Sequence, residues 1–234
     1  MKQRRGGTGP AHVLMILVIL GLASPSSYAE SISAGGRDIV VVQPEGYCWL
    51  DMNGTEKPMA EQAAFIYSKT GQNLLAMFAD CKELKSLRAG KTHTFFRHGN
   101  IAALANRAGA IIPTAKTRSE VLDNDATTIE KASGRSINAV VGTANKILPG
   151  TIIDFSTPRI IHRDQNALYI ASMSRGRSSS GQNRNIAHLS ALTVLNGIRL
   201  NVALYDEIKV EPYDFSRLLE HSKRLVSELD KVNP

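Results

Sequence analysis

The chain is poor in cysteine, aromatic residues and charge of one sign, and each shortage excludes something. Only two cysteines, one tryptophan and 6% aromatics occur in 234 residues, and the formal net charge is +7. A nucleic-acid binder needs a concentrated basic face with stacking aromatics, and this sequence has neither, so nucleic acid is not an expected partner. No long apolar run follows Ala29, so nothing beyond that point is expected to enter a bilayer. No G-x-S-x-G elbow, P-loop or dinucleotide fingerprint is present, and no cofactor is expected.

A metal site is not expected either. His93 and His98 are five apart, which on a strand sends them to opposite faces. Asp123-Asn124-Asp125 begins like a calcium loop, but Thr128 stands where glycine is needed and Gly134 where glutamate is needed.

What is present begins with an export signal. Lys2, Arg4 and Arg5 form a positive head, Ala11 to Ala23 is apolar, and Ser27-Tyr28-Ala29 suits cleavage before Glu30. The apolar run is short for a membrane span, the reading that competes with a cleaved signal. No cysteine follows it to carry a lipid, and Arg4-Arg5 lacks the flanks of a twin-arginine signal, so Sec export to the periplasm or medium is expected. Removing residues 1–29 lowers the formal charge from +7 to +4. Glu30 to Arg37, with Gly35-Gly36, reads as a flexible leader, and residues 38–234 as one domain.

The cysteines bracket Tyr47 to Cys81, a stretch holding a helix signal between two extended ones. In an oxidising compartment a Cys48–Cys81 bond is expected, adding about 3–4 kcal/mol in the chain-entropy model. Two separately buried thiols are the alternative. Asp38 to Gln43 reads as a buried strand. A helix follows from Pro58, with Met59, Ala63, Ile66 and Tyr67 on one side and Gly71 as its stop. Asn73 to Ala79 favours strand, with helix competing. Lys82 to Ala89 favours helix, and Thr92 to Arg97 strand.

Ala102 to Arg107 reads as a turn or two of helix, Arg118 to Ser133 as a helix, and Ser136 to Leu148 as a weaker helical segment. Arg159 to His162 and Ala167 to Ser174 flank a four-residue turn and predict a hairpin. Asn196-Gly197 predicts a second, with Leu195 opposite Ile198, Thr193 opposite Leu200 and Ala191 opposite Val202. That hairpin is apolar on both faces and requires cover on both. The closing helix, capped by Asp214, supplies one cover through Phe215, Leu218, Leu219, Ser222, Leu225, Val226 and Leu229. The predicted fold is α+β, a largely antiparallel sheet flanked by helices on both faces in an α/β/α sandwich, with a C-terminal amphipathic helix.

The order of an extended start ending in Pro44-Glu45-Gly46-Tyr47, a helix, strands, two hairpins and a closing amphipathic helix resembles the PsbP-like and DcrB-like sandwiches of exported bacterial proteins. The resemblance covers about two thirds of the chain beyond residue 29, as an order of elements only, and the polar helical middle departs from it. It implies an accessory, non-catalytic role in the envelope.

Two function classes follow. The first is a non-enzymatic exported protein that binds an envelope protein or an anionic envelope component. Its candidate recognition loop is Ser174 to Asn185, which carries Arg175, Arg177 and Arg184 among small polar residues, a plain connector being the simpler reading. The second is a phosphate-handling hydrolase, because Arg97-His98-Gly99 resembles the signature of the histidine phosphatases. That chemistry needs His98 and a second histidine, His162 or His188, at one pocket, with Arg97 helped by Arg159, Arg163 or Arg184. The acidic residues Asp206, Glu207, Glu211 and Asp214 are placed to gather at a strand end, where solvated loop and cap roles account for them.

Overall fold

The computed structural model describes residues 29–92, 94–106, 108–131, 152–177 and 183–234. The export signal and the segment Ser136 to Leu148 lie outside them. The elements are β1 (Ala29–Ala34), β2 (Arg37–Val42), β3 (Tyr47–Trp49), α1 (Lys57–Lys69), β4 (Gln72–Asp80), α2 (Cys81–Arg88), β5 (His98–Leu104), α3 (Arg118–Lys131), β6 (Ile152–Phe155), β7 (Arg159–Arg163), β8 (Leu168–Arg177), β9 (Asn183–Leu195), β10 (Ile198–Glu207) and α4 (Ser216–Val232).

Eight strands form one antiparallel sheet in the order β3-β4-β5-β10-β9-β8-β6, with β7 also paired to β8. The β9–β10 hairpin sits at its centre in the register the sequence predicts, Leu195 opposite Ile198 and Ala191 opposite Val202. Asn196 and Gly197 both take positive φ, 48° and 72°, as the tight turn requires.

Both faces are covered, as the α+β sandwich reading expects. On one face Leu189, Leu200, Val202 and Leu204 meet Leu218, Leu225, Val226 and Leu229 of α4 and Ile39 and Val41 of β2. Each fully buried aliphatic side chain there contributes about 1.5–3 kcal/mol, which makes this face the main core. On the other face Met77 and Ala79 pack against Ala60 of α1 and Leu84 of α2, while α3 is tied to β10 through Arg199–Asp125 at 2.6 Å. Asp123 of the calcium-like triplet pairs with Arg163 at 2.7 Å, and the triplet is helical within α3.

The cysteine staple forms. Cys48 on β3 is bonded to Cys81, the first residue of α2, with Cα atoms 4.9 Å apart. Asp80 caps α2 by accepting from Lys82 N at 2.9 Å and Glu83 N at 3.1 Å.

Four sequence readings need correction. Glu30 to Arg37 is no loose leader: residues 29–34 pair antiparallel with 37–42 around a Gly35-Gly36 turn. Within the strand expected over Thr92 to Arg97, residues 94–97 are a loop, because the Glu83 carboxylate accepts from Phe96 N at 2.6 Å and Arg97 N at 3.1 Å and holds that backbone. The strand is β5, which overlaps the helix expected over Ala102 to Arg107. A run of small residues suits it because it lies between β4 and β10 with both faces buried: a Cβ on Gly99 would come within 2.4 Å of Phe78 and 2.6 Å of the Ala203 carbonyl. Lastly, the loop expected over Ser174 to Asn185 is ladder at both flanks, with Ser174 opposite Ile186 and Arg177 opposite Asn183, and 178–182 lie outside the described residues.

Candidate functional site

The histidines singled out in the sequence are brought together in part. In antiparallel pairing, directly opposed residues share a face. Tyr205 of β10 is opposite His98 on β5 and His188 on β9, so the three side chains form a row across three strands on the α1 side of the sheet. The His98 ring stacks on Tyr205 with centroids 4.5 Å apart. His188 meets Tyr205 edge-on at 4.7 Å. Above the row, Tyr67 of α1 shares a hydrogen bond of 3.0 Å between its hydroxyl and that of Tyr205.

Each ring is fixed by a second contact. His98 Nδ1 lies 3.1 Å from the Phe96 carbonyl, which makes it the protonated nitrogen of the neutral ring. Phe95 closes its far side at 5.3 Å. His188 Nε2 is 2.6 Å from the Ser174 hydroxyl, and Phe155 packs on it at 5.3 Å. Burial penalises the charged imidazolium in both rings. It pulls His98 down to about 4. His188 falls to about 3, from burial first and then from the neighbouring charge of His98. Burial also raises the Tyr67 phenol well above its usual value.

The arginines go elsewhere. Arg97 pairs with Asp80 at 2.5 Å and with Glu83 at 3.6 Å. Arg184 stacks on the Phe96 ring at 4.1 Å. Arg163 is engaged with Asp123, and Arg159 is exposed on β7. His162, also on β7, leans on Tyr169 at 5.5 Å and lies 3.9 Å from Asp164. The phosphatase reading needs a phosphate-sized pocket between two histidines with arginines pointing in. Here Tyr205 occupies the space between the histidines, and Arg97 is bound by two carboxylates, so the Arg97-His98-Gly99 match gains no support. Of the recognition arginines, Arg175 is exposed on paired β8, opposite Asn185. Arg177 stands opposite Asn183 at the end of the same ladder.

Sequence reading missed Tyr205, Tyr67 and Glu83. The signal for Tyr205 was available: the Asn196-Gly197 register that sets Leu195 opposite Ile198 also sets His188 opposite Tyr205. Glu83 carried no local signal, since its partners lie 13 and 14 residues away in a segment that reads as a strand.

Next to this row, at the end of β10, lies a charged groove of about 510 Å³ lined by Glu83, Arg97, Asp206, Lys209, Tyr213 and Arg217. Glu207 and Asp214 line it as well, so three of the four acidic residues gather at this strand end, and Glu211 is not among its lining residues. Asp206 accepts from Tyr213 Oη at 2.9 Å and pairs with Arg217, Asp214 Oδ1 accepts from Ser216 N at 2.9 Å, and Glu211 accepts from Asn185 at 3.0 Å. Arg97, Arg217 and Asp206 are thus paired within the protein, while Glu207 and Lys209 are in no ion pair among the described residues.

No protein-family model matches the chain, and no curated protein does. Among solved structures it is similar to the solution structure of cyanobacterial PsbP (CyanoP) from Synechocystis sp. PCC 6803, at 13% identity over 90% of this chain and 93% of that one, with a TM-score of 0.37. A likeness that distant carries no functional statement.

Proposed function

We propose that the protein is an exported, non-enzymatic binding protein of an oxidising compartment, the periplasm or the medium, whose partner is an envelope protein or an anionic envelope component. The observation that supports binding over hydrolysis is the internal engagement of the Arg97-His98 pair. Arg97 is held by Asp80 and Glu83, and His98 is stacked on Tyr205 and met edge-on by Phe95 as a neutral ring. A nucleophile or general base has to reach a substrate, and His98 is enclosed by protein while Arg97, at the groove, is already held by two carboxylates. The Cys48–Cys81 bond supports the compartment, since thiols in a reducing cytosol stay reduced.

Recovery of the protein from cell fractions tests both halves. A mature N-terminus near Glu30 in the periplasm or medium, with the two cysteine peptides joined, is the expected result. Intact Met1 protein in the cytoplasm with free thiols would end the export reading. Pull-down from solubilised envelope with the disulfide-bonded protein then identifies the partner, and loss of phosphatase activity on Arg97→Ala, were such activity found, would overturn the binding reading.

A further inference from the structure

The two edges of the β1–β2 hairpin are treated differently. Because the hairpin closes through a two-residue turn between Ala34 and Arg37, the pairs Ala34/Arg37, Ile32/Ile39 and Glu30/Val41 exchange backbone hydrogen bonds. The intervening residues, Ser31 and Ser33 on β1 and Asp38 and Val40 on β2, turn their backbone groups outward. On β2 those groups are covered: Asn233 receives Val40 N and donates to Val40 O, both at 2.8 Å, and Asn196 donates to Asp38 O at 3.0 Å. On β1, Ser31 and Ser33 have no strand partner among the described residues.

That open edge borders a groove of about 560 Å³ whose opposite wall is Trp49 to Asn53 and Leu75 to Met77. All four residues Glu30 to Ser33 line it, although side chains alternate between faces, so the groove runs along the strand's edge. Its far wall is a second incomplete edge. The Leu50 N to Met77 O bond at 3.0 Å is the last pairing on the outer side of β4, and upstream of Met77 that side has no strand partner among the described residues. The floor is apolar: Ile32, Trp49 and Leu75 are partly buried against the main core. Trp49 Nε1 is shielded from solvent with no hydrogen-bond partner, an unmet donor within the groove wall. The rim carries Glu30 and Asp51, neither in an ion pair among the described residues, and no cation lines the groove.

We propose that this groove binds an extended segment of a partner protein, added as a strand to the free edge of β1. Backbone bonds to Ser31 and Ser33 supply the pairing, alternate apolar side chains cover Ile32, Trp49 and Leu75, and a flanking lysine or arginine answers Glu30 and Asp51. A second copy of this chain answers the rim poorly, because its own β1 carries no lysine or arginine to meet Glu30 and Asp51. This deepens the binding reading by naming the partner's chemistry. It is measured on purified protein that starts at Glu30, with the free and with the acetylated N-terminus, so that the α-ammonium that cleavage leaves at the rim is accounted for and the outcome does not depend on where the protein resides.

Trp49 is the only tryptophan in the chain, so intrinsic emission reports on the groove directly. The probe is a capped hexapeptide of alternating valine and threonine with a lysine at each end, and its control carries glutamate in place of lysine. The expected result is a saturable change in Trp49 emission with the lysine peptide and at least tenfold weaker binding of the control. Ser31→Pro removes only an outward N–H, which an edge strand tolerates, and is expected to weaken binding at least tenfold with thermal unfolding unchanged. The double reversal Glu30→Lys, Asp51→Lys leaves the backbone alone and is expected to invert the preference between peptides. Absence of a saturable response, an unaltered affinity in Ser31→Pro protein that is fully folded, or an unchanged preference in the double reversal would each overturn the proposal. So would an emission change that follows protein concentration without peptide, together with dimer formation in sedimentation, since the groove would then serve self-association.

Discussion

His98 lies flat on Tyr205, with centroids 4.5 Å apart and planes within 4° of parallel. The stack is a stability device with a pH limit. Its imidazole is drawn from about 6.5 in the unfolded chain to about 4 in the fold, and that of His188 to about 3. A depressed folded value means that the unfolded chain binds more protons between those limits, so the contribution is complete above pH 6.5 and lost as pH falls towards 3.

Stability is therefore expected to drop between pH 6.5 and 4.5, above the range where most carboxylates titrate. Denaturant midpoints across that window check it. The double variant His98→Gln, His188→Gln is expected to flatten the slope even though it is less stable at pH 7. An unchanged slope would show that neither ring titrates differently on folding.

Reduction of the Cys48–Cys81 bond removes a closure spanning 33 positions. A loss of about 3–4 kcal/mol is expected, read as a shift of the chemical unfolding midpoint with and without reductant, or in Cys48→Ala, Cys81→Ala protein. The effect should be larger on β3 and α2 than elsewhere in hydrogen exchange, because those are the elements the bond joins.

Asn233 is 2% exposed and makes three side-chain bonds, two to Val40 and one to the Leu229 carbonyl at 2.8 Å. Asn233→Ala strands the outward groups of Val40 and uncaps the end of α4. A loss of about 1–3 kcal/mol is expected, with faster amide exchange at Val40 as the local readout.

Gly99→Ala forces a methyl against Phe78 and the Ala203 carbonyl in the middle of the sheet. The cost expected is about 1–3 kcal/mol or more, since the carbonyl is backbone and cannot swing aside. Combining it with Phe78→Leu should recover part of the loss, and a double-mutant cycle measures how much.

The sequence by itself determined the elements whose signals are local. Asn196-Gly197 set the central hairpin and its register because both turn residues must take positive φ. The three-and-four spacing of Leu218, Ser222, Leu225 and Leu229 set the buried stripe of α4, and two cysteines beside extended segments set the staple. The tertiary structure decided what depends on distant partners. Gly99 to Ala103 became a central strand because β4 and β10 close around small residues, overriding an alanine-rich helix signal. Residues 94–97 stayed a loop because Glu83 satisfies their backbone. Ser174 to Arg177 extended a strand because the ladder from the hairpin offered each residue a partner, whatever its turn propensity. The histidines met around Tyr205, away from the arginines, for the same reason: register across three strands, and not spacing along the chain, chose their neighbours.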